Sequence, residues 1–348
     1  MKNGTWMLAL AAALAACGTE SPVAPTPDAT MGRGSPNGAQ AVTVMQQNMY
    51  VGADVDAIIR AIAGQDEDEI AQAIGQAIAT LQNTDIVARA GAIADQIAKT
   101  RPHVVGLQEV STIAVGPMTI PFLGILQAAL AARGLNYGVC EHENFTVAVA
   151  GVSLTDADAL LYDRDRMTSV ACGPGGAFDY QIGFLGITRG WGSLTGVVNG
   201  STHTFVVTHL ESGNDPGLDD LRTMQAIELV ATFEGASPVT LLGDFNAFPS
   251  SDAYGVLMAA GYTDLWAVRH PGAVGYTCCL AADLSNKVAK FDQRIDYIFA
   301  RDLPTQQGQT LIIGNTPGAR VPGPSYPIWP SDHAGLIGTF LAPAVGTK

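Results

Sequence analysis

A layered α/β fold is expected for this chain, on three observations. Short Val/Ile/Leu runs of strand length recur along it, helix-period patterns fall between them, and an Asn-Gly pair joins two of the runs. Its 348 residues, 47% hydrophobic and 14% charged, suffice for a large core. One large domain over residues 41–343 is expected, because no Pro/Gly/Ser-rich linker interrupts the sequence beyond residue 41.

The N-terminus reads as a targeting segment. Lys2 precedes an apolar stretch, Trp6–Ala16, that is too short to span a bilayer and has the pattern of a secretory signal. The stretch ends Leu14-Ala15-Ala16-Cys17, which resembles the lipobox of bacterial lipoproteins, where the cysteine is acylated and becomes the first mature residue. Residues 1–17 are therefore expected to be a lipoprotein-type signal peptide. Residues 18–40, rich in Pro, Gly, Ser, Thr and Ala, cannot bury apolar area and are expected to be a disordered tether. The implied protein is an exported, membrane-anchored lipoprotein of the bacterial cell envelope or surface, monomeric and held by a lipid on Cys17.

Strand-length runs lie at Val42–Met45, Val104–Leu107, Ala159–Tyr162, Phe205–Thr208, Val239–Leu242, Ile295–Phe299 and Leu336–Phe340. Asn199-Gly200 sits between Leu194–Val198 and Thr202–Thr208, and both positions tolerate positive φ, so a two-residue hairpin is expected. Helical patterns occupy Asp54–Ala63, Glu67–Leu81 and Asp85–Thr100, the third with Ile86, Ile93 and Ile97 on one face and Pro102 behind it. Asp219–Glu234 aligns Leu221, Met224, Ile227 and Val230 and stops at Gly235. Ser250 or Ser251 caps a further helix that ends near Gly261.

Charge narrows the choice of partners. With 18 basic against 32 acidic residues, a net charge of −14 and no basic run, the chain lacks the electrostatic footprint of a tight nucleic-acid binder. Beyond Cys17, an exported chain can pair Cys140, Cys172, Cys278 and Cys279 as disulfides in three ways. The adjacent Cys278-Cys279 lacks the two-residue spacing of a zinc knuckle.

Polar residues stand just past the apolar runs, where a sheet delivers side chains to an open rim. Asn48, Glu109, His209 and the pair Asp244 and Asn246 each follow one of them, and Asp296, Asp332 and His333 complete the set. Burying such groups inside strands costs several kcal/mol unless they are paired, so a shared polar cleft is expected.

Six segments in order, Gln47-Asn48-Met49, Leu107-Gln108-Glu109-Val110, Thr208-His209-Leu210, Gly243-Asp244-Phe245-Asn246, Arg294-Ile295-Asp296-Tyr297 and Ser331-Asp332-His333, resemble the motifs of the endonuclease/exonuclease/phosphatase superfamily. The resemblance spans residues 42–341 and implies a four-layer α/β sandwich, two mixed β-sheets packed face to face and flanked by helices. It implies hydrolysis of a phosphoester with a divalent cation, Mg²⁺ or Mn²⁺. Hard cations take oxygen ligands, which suits Glu109 as principal ligand with Asn48 and Asp332 in support. His209 and Asn246 would then donate to the phosphoryl group. Asp244 or His333 would take the proton of the attacking water, with Asp296 orienting His333. The resemblance also implies an acidic partner for His209 near the strand holding Leu160 and Leu161, where Asp156 and Asp158 fall, and a hydroxyl near the site at Thr277. His103, His142, His203 and His270 match no motif and read as surface or structural.

The substrate is left open among nucleic acid, phospholipid, inositol phosphate and others, with an exported phosphodiesterase ranked first, a secreted nuclease second and a sphingomyelinase or phospholipase C-like enzyme third. No basic cluster lies near the motifs apart from the isolated Arg164, Arg166 and Arg189, which weakens DNA. Phe178, Tyr180, Phe184 and Trp191 could form a membrane-contacting group, though aromatic residues of an antiparallel region more often pack. The long stretch Val51–Arg101 predicts an extra helical hairpin bordering the cleft. An inactive binding module of the same fold would have lost at least one of Glu109, Asp244, Asn246, Asp296 and His333, and all five are present.

Overall fold

The computed structural model describes residues 41–213 and 216–341. The expected signal segment and tether, and so Cys17, lie outside the described residues. The chain begins with β1 (Ala41–Asn48), followed by helices α1 (Val55–Gly64), α2 (Glu67–Asn83) and α3 (Ile86–Thr100). Next come β2 (Val104–Gln108), β3 (Thr112–Val115), β4 (Met118–Pro121), α4 (Phe122–Ala131) and a long hairpin of β5 (Tyr137–Val149) and β6 (Val152–Asp163). The middle of the chain supplies β7 (Met167–Cys172), β8 (Gly176–Ala177), β9 (Gly190–Val198), β10 (Ser201–His209), α5 (Pro216–Thr232), β11 (Val239–Asp244) and α6 (Asp252–Ala259). It ends with β12 (Thr263–Asp264), α7 (Leu265–Arg269), β13 (Asp296–Arg301), β14 (Thr310–Ile313), β15 (Val321–Pro322), β16 (Pro327–Ile328) and β17 (Gly335–Leu341).

Two mixed sheets result. The first runs β14-β17-β1-β2-β6-β3-β4, with β5 also on β6, and the second runs β12-β13-β11-β10-β9-β7, with β8 on β9. In each, one parallel pair, β1 with β2 and β10 with β11, sits among antiparallel neighbours. Successive side chains of a strand point to opposite faces, and the core follows that alternation. Val42, Val44, Leu160, Phe205, Val207, Leu242, Ile298 and Phe340 fill the layer between the sheets. Met45, Val105, Leu107 and Leu161 instead meet Ile93 and Ile97 of α3 and Leu126 of α4 on the outer face of the first sheet. Val206, Leu241 and Phe299 meet Leu229 of α5 and Leu257 of α6 on the outer face of the second. The layers are helix, sheet, sheet, helix, the expected sandwich.

Local chemistry explains most of the boundaries. Asp54, Asp66 and Asp85 each accept backbone N–H groups at the starts of α1, α2 and α3. Asn199 and Gly200 adopt φ of 52° and 83°, the left-handed pair that closes the β9–β10 hairpin. Of the elements that the sequence reading did not name, two show why. Phe122–Ala131, apolar almost throughout, shows no helical period yet forms α4 against α3, and the polar-rich β5 is a strand because β6 pairs with it over almost its whole length.

The four cysteines pair as Cys140 with Cys172 and Cys278 with Cys279. The first of these joins β5 of one sheet to β7 of the other. Among the described residues no helix is long and apolar enough to cross a membrane.

Candidate active site

The ends of β1, β2, β10, β11 and β13 open onto one cleft, together with the segment preceding β17. Tyr50, Glu109 and Asn246 take φ of 61°, 54° and 47°, the left-handed region that non-glycine residues avoid, and each stands just past a strand end. The turn at Glu109 carries its carboxylate off the plane of β2 and into the cleft.

Side chains from the two sheets meet there. Asn48 donates through Nδ2 to Glu109 Oε1 at 2.9 Å and to Asp244 Oδ2 at 3.2 Å. Its carbonyl oxygen accepts from the Tyr50 N–H at 2.8 Å, so Asn48 is a strut between carboxylates with its oxygen turned to the backbone. Glu109 Oε2 accepts from the Val51 N–H at 2.7 Å. His333 Nδ1 lies 2.9 Å from Asp296 Oδ2, and the other Asp296 oxygen accepts from Gln46 Nε2 at 2.8 Å. The His333 ring therefore shows its Nε2 to Asp244 Oδ2 at 3.8 Å and to Asp332 Oδ1 at 4.0 Å. Asn246 is held by Leu210, whose carbonyl accepts from its Nδ2 at 3.0 Å. Thr277 lies beside the site, its Oγ1 accepting from the Asp296 N–H at 3.4 Å.

His209 differs from the expectation. Neither Asp156 nor Asp158 bonds it; its Nδ1 lies 3.1 Å from Arg189 Nη1, and its Nε2 lies 3.6 Å from Asp244 Oδ2. Asp156 instead accepts from Asn144 and Ser111. A guanidinium has only donors, so Arg189 makes Nδ1 the acceptor and leaves the proton on Nε2, facing the cleft. Burial, then Arg189 and His333, hold the His209 pKa well below its ordinary value, so the ring is neutral.

Two residues that sequence reasoning left out also organise the site. Arg189 read as an isolated cation, yet its Nε lies 3.6 Å from Glu211 Oε1 beneath His209. Arg89, wholly buried in α3, donates to the carbonyls of Thr84 at 2.7 Å, Met49 at 2.5 Å and Tyr50 at 3.1 Å, which ties down the segment after Asn48. A lone arginine in a helix carries no pattern; the only signal was a charge amid the otherwise apolar inner face of α3.

The donor set suits a cation. Asp244, Asp296 and His333 bring ligand atoms within 4.8 Å of one another and could hold a metal ion. Burial, then Asp296, raises Asp244 to about 7, and burial with Glu109 raises Asp332 to about 7 despite the opposing His333 and Arg89. Burial acts against the charge on His333, but Asp296, Asp332 and Asp244 together lift it well above the usual histidine value. Carboxylates crowded together in a buried site resist carrying their charges, and a divalent ion would relieve that.

The fold and the site together define an α/β sandwich with carboxylates, amides and two histidines gathered at its strand ends. The chain belongs to the endonuclease/exonuclease/phosphatase family, whose model matches residues 64–333. Members of that family hydrolyse phosphoester bonds and typically use divalent metals. Comparison with curated protein sequences gives no match. Among solved structures, an endonuclease/exonuclease/phosphatase family protein from Leptotrichia buccalis superposes with a TM-score of 0.55 at 15% identity, over 86% of this chain and 99% of that one. TDP2 from D. rerio, complexed with single-strand DNA product, gives 0.53 at 18% identity, over 86% and 98%. The human Nocturnin catalytic domain with bound sulfate gives 0.52 at 18%, over 86% and 93%. At these identities the likeness is one of fold.

Proposed function

We propose that this chain is an exported, divalent-metal-dependent phosphoester hydrolase that uses water to cleave a small phosphodiester or phosphomonoester. The observation that carries the reading is the convergence of all six motif segments, from both sheets, on one cleft. Glu109 and Asp332 would be the hard oxygen ligands for Mg²⁺ or Mn²⁺, with Asp244, which Asn48 joins to Glu109, beside them. When bound, the ion supplies positive charge to the phosphoryl oxygens.

The chain's own groups do the rest. His209, neutral with its proton on Nε2, donates to the phosphoryl group, and Asn246 bounds the same space. Asp244 and His333, 3.8 Å apart, form the pair that takes the proton of the attacking water. Asp296 keeps the His333 ring in one tautomer and one orientation.

A small substrate fits the lining better than a polynucleotide. Among the described residues of the cleft wall the basic side chains are Arg60, Arg189 and Arg222, and each already faces a carboxylate, Asp54, Glu211 and Asp219 respectively. The export reading rests on residues 1–40 and is supported by the Cys140–Cys172 pairing, which suits an oxidising compartment.

Purified protein is expected to turn over bis(p-nitrophenyl) phosphate with Mg²⁺ or Mn²⁺ and to stop when a chelator is added. His333→Ala should lower the rate by about two to four orders of magnitude while circular dichroism stays unchanged. Metal-independent turnover, or an active His333→Ala, would show the site to be misassigned. Plasmid DNA, sphingomyelin and inositol phosphates assayed in parallel rank the substrate classes.

A further inference from the structure

The α1–α2 hairpin walls an apolar cavity of about 80 Å³ beside the proposed catalytic cleft. Every residue lining it is apolar: Ile62 and Ile78 come from the hairpin, Val147 from β5, and Leu154 from β6. The cavity and the cleft adjoin, and Val51, Phe145, Leu154 and Ile187 are among the residues that line both. Along β6 the wall changes character within one step of the pleat. Leu154 faces both spaces, and Asp156, next on that face, lines the polar cleft alone.

Protein interiors are normally packed without such voids, and these isoleucines stand half-buried around open space. At the mouth the loop after β8 holds three large apolar side chains out to solvent, Ile182 at 51%, Phe184 at 39% and Leu185 at 37% exposure. Ile182 and Phe184 border the cleft, and Leu185 borders the cavity. A polar space suited to a phosphoryl group thus lies against an apolar space suited to hydrocarbon.

We propose that the cavity receives one unbranched hydrocarbon chain of the substrate, so that the enzyme hydrolyses single-chain amphiphilic phosphoesters. The inference rests on the phosphoester-hydrolase reading of the cleft. In the reaction the water oxygen forms the new bond to phosphorus and the ester P–O bond to the leaving group breaks. The proton surrendered by the water is carried off on the departing oxygen or to solvent. The chain in the cavity stays esterified to the phosphate throughout and serves to seat it.

The test is a series of p-nitrophenyl n-alkyl phosphodiesters, methyl to dodecyl, assayed on the purified protein below their aggregation concentrations. Each buried methylene is worth about 0.8 kcal/mol, so kcat/KM should climb as much as about fourfold per carbon until the cavity is full, then level off. Ile78→Asn, at a position that lines the cavity but not the cleft, should flatten the series while bis(p-nitrophenyl) phosphate turnover is unchanged. Val147→Phe, which fills the space and keeps it apolar, should move the plateau to shorter chains, and covers the case in which Ile78→Asn does not fold. As a readout apart from activity, dodecyl phosphate should raise the melting temperature where ethyl phosphate and inorganic phosphate do not. Turnover of bis(p-nitrophenyl) phosphate with a flat chain-length profile overturns the chain cavity and leaves the hydrolase reading intact; no turnover of any ester overturns both. A rise seen only above the aggregation concentration also overturns it, because recognition would then belong to a lipid surface.

Discussion

Asp244 Oδ2 is approached from three directions: it accepts from Asn48 Nδ2 of β1 at 3.2 Å and lies 3.6 Å from His209 Nε2 of β10 and 3.8 Å from His333 Nε2 ahead of β17. Its position is thereby set by both sheets together, and single residues in that network carry consequences out of proportion to their size. A different kind of buried residue is His203, which is 1% exposed, stacks on Phe205 and has no partner for either ring nitrogen. Burial lowers its pKa to about 4 from 6.5. The folded state therefore binds fewer protons than the unfolded chain between those values, so stability is present above pH 6.5 and lost as pH falls toward 4. His203→Leu should flatten that acid slope, and melting curves at pH 7 and pH 5 should show a smaller gap than in the parent; an unchanged gap would place the acid sensitivity elsewhere. At this scale the sequence was most informative where residue types repeat a chemical pattern. Asn48, Glu109, His209, Asp244, Asn246, Asp296, Asp332 and His333 all stand just beyond or beside strand ends and share one cleft or its wall. The roles of Arg189 and Arg89 escaped because a solitary arginine looks the same on a surface as beside a buried cleft histidine.

Elements with strong period or clear punctuation were readable. The three N-terminal helices begin at Asp54, Asp66 and Asp85, and the β9–β10 turn sits on Asn199-Gly200. α4 and β5 were not, since one is apolar on almost every side and the other draws its pairing from a distant partner, so tertiary context decided both. The close approach of the sheets was equally invisible. At Gly106 of β2 an added Cβ would come within 2.5 Å of the Cβ of Leu242 in β11. Gly106→Val should therefore wedge the sheets apart and cost about 1–3 kcal/mol, read as a fall in the denaturant midpoint. Because Glu109 and Asp244 lie just beyond these two positions on opposite sheets, turnover should fall further than the loss of folded protein explains. A variant that is destabilised but retains full specific activity would argue against that coupling.

Seen whole, the molecule is two sheets cross-linked by Cys140–Cys172, which spans 32 positions of sequence. Opening that link by Cys140→Ser with Cys172→Ser should cost about 3–4 kcal/mol from the loop it closes, checked as a lowered melting temperature with fold and activity retained at moderate temperature. The sandwich was legible from the alternation of strand runs and helices, whereas the order of strands within each sheet was not, because pairing across a hundred or more residues leaves no local trace. One such pairing joins the two ends of the described fold: β1 and its antiparallel neighbour β17 are the first and last strands among the described residues, with Ala41 opposite Leu341. Closing so long a loop costs entropy that the pairing must offset. Asp332 and His333 lie immediately before β17, and Ser331 Oγ donates to the Asn48 carbonyl at 2.8 Å, so the two ends of the fold hold that corner of the cleft together. A chain without its final strand would keep most of the cleft wall and lose the anchorage of the proposed proton-taking pair.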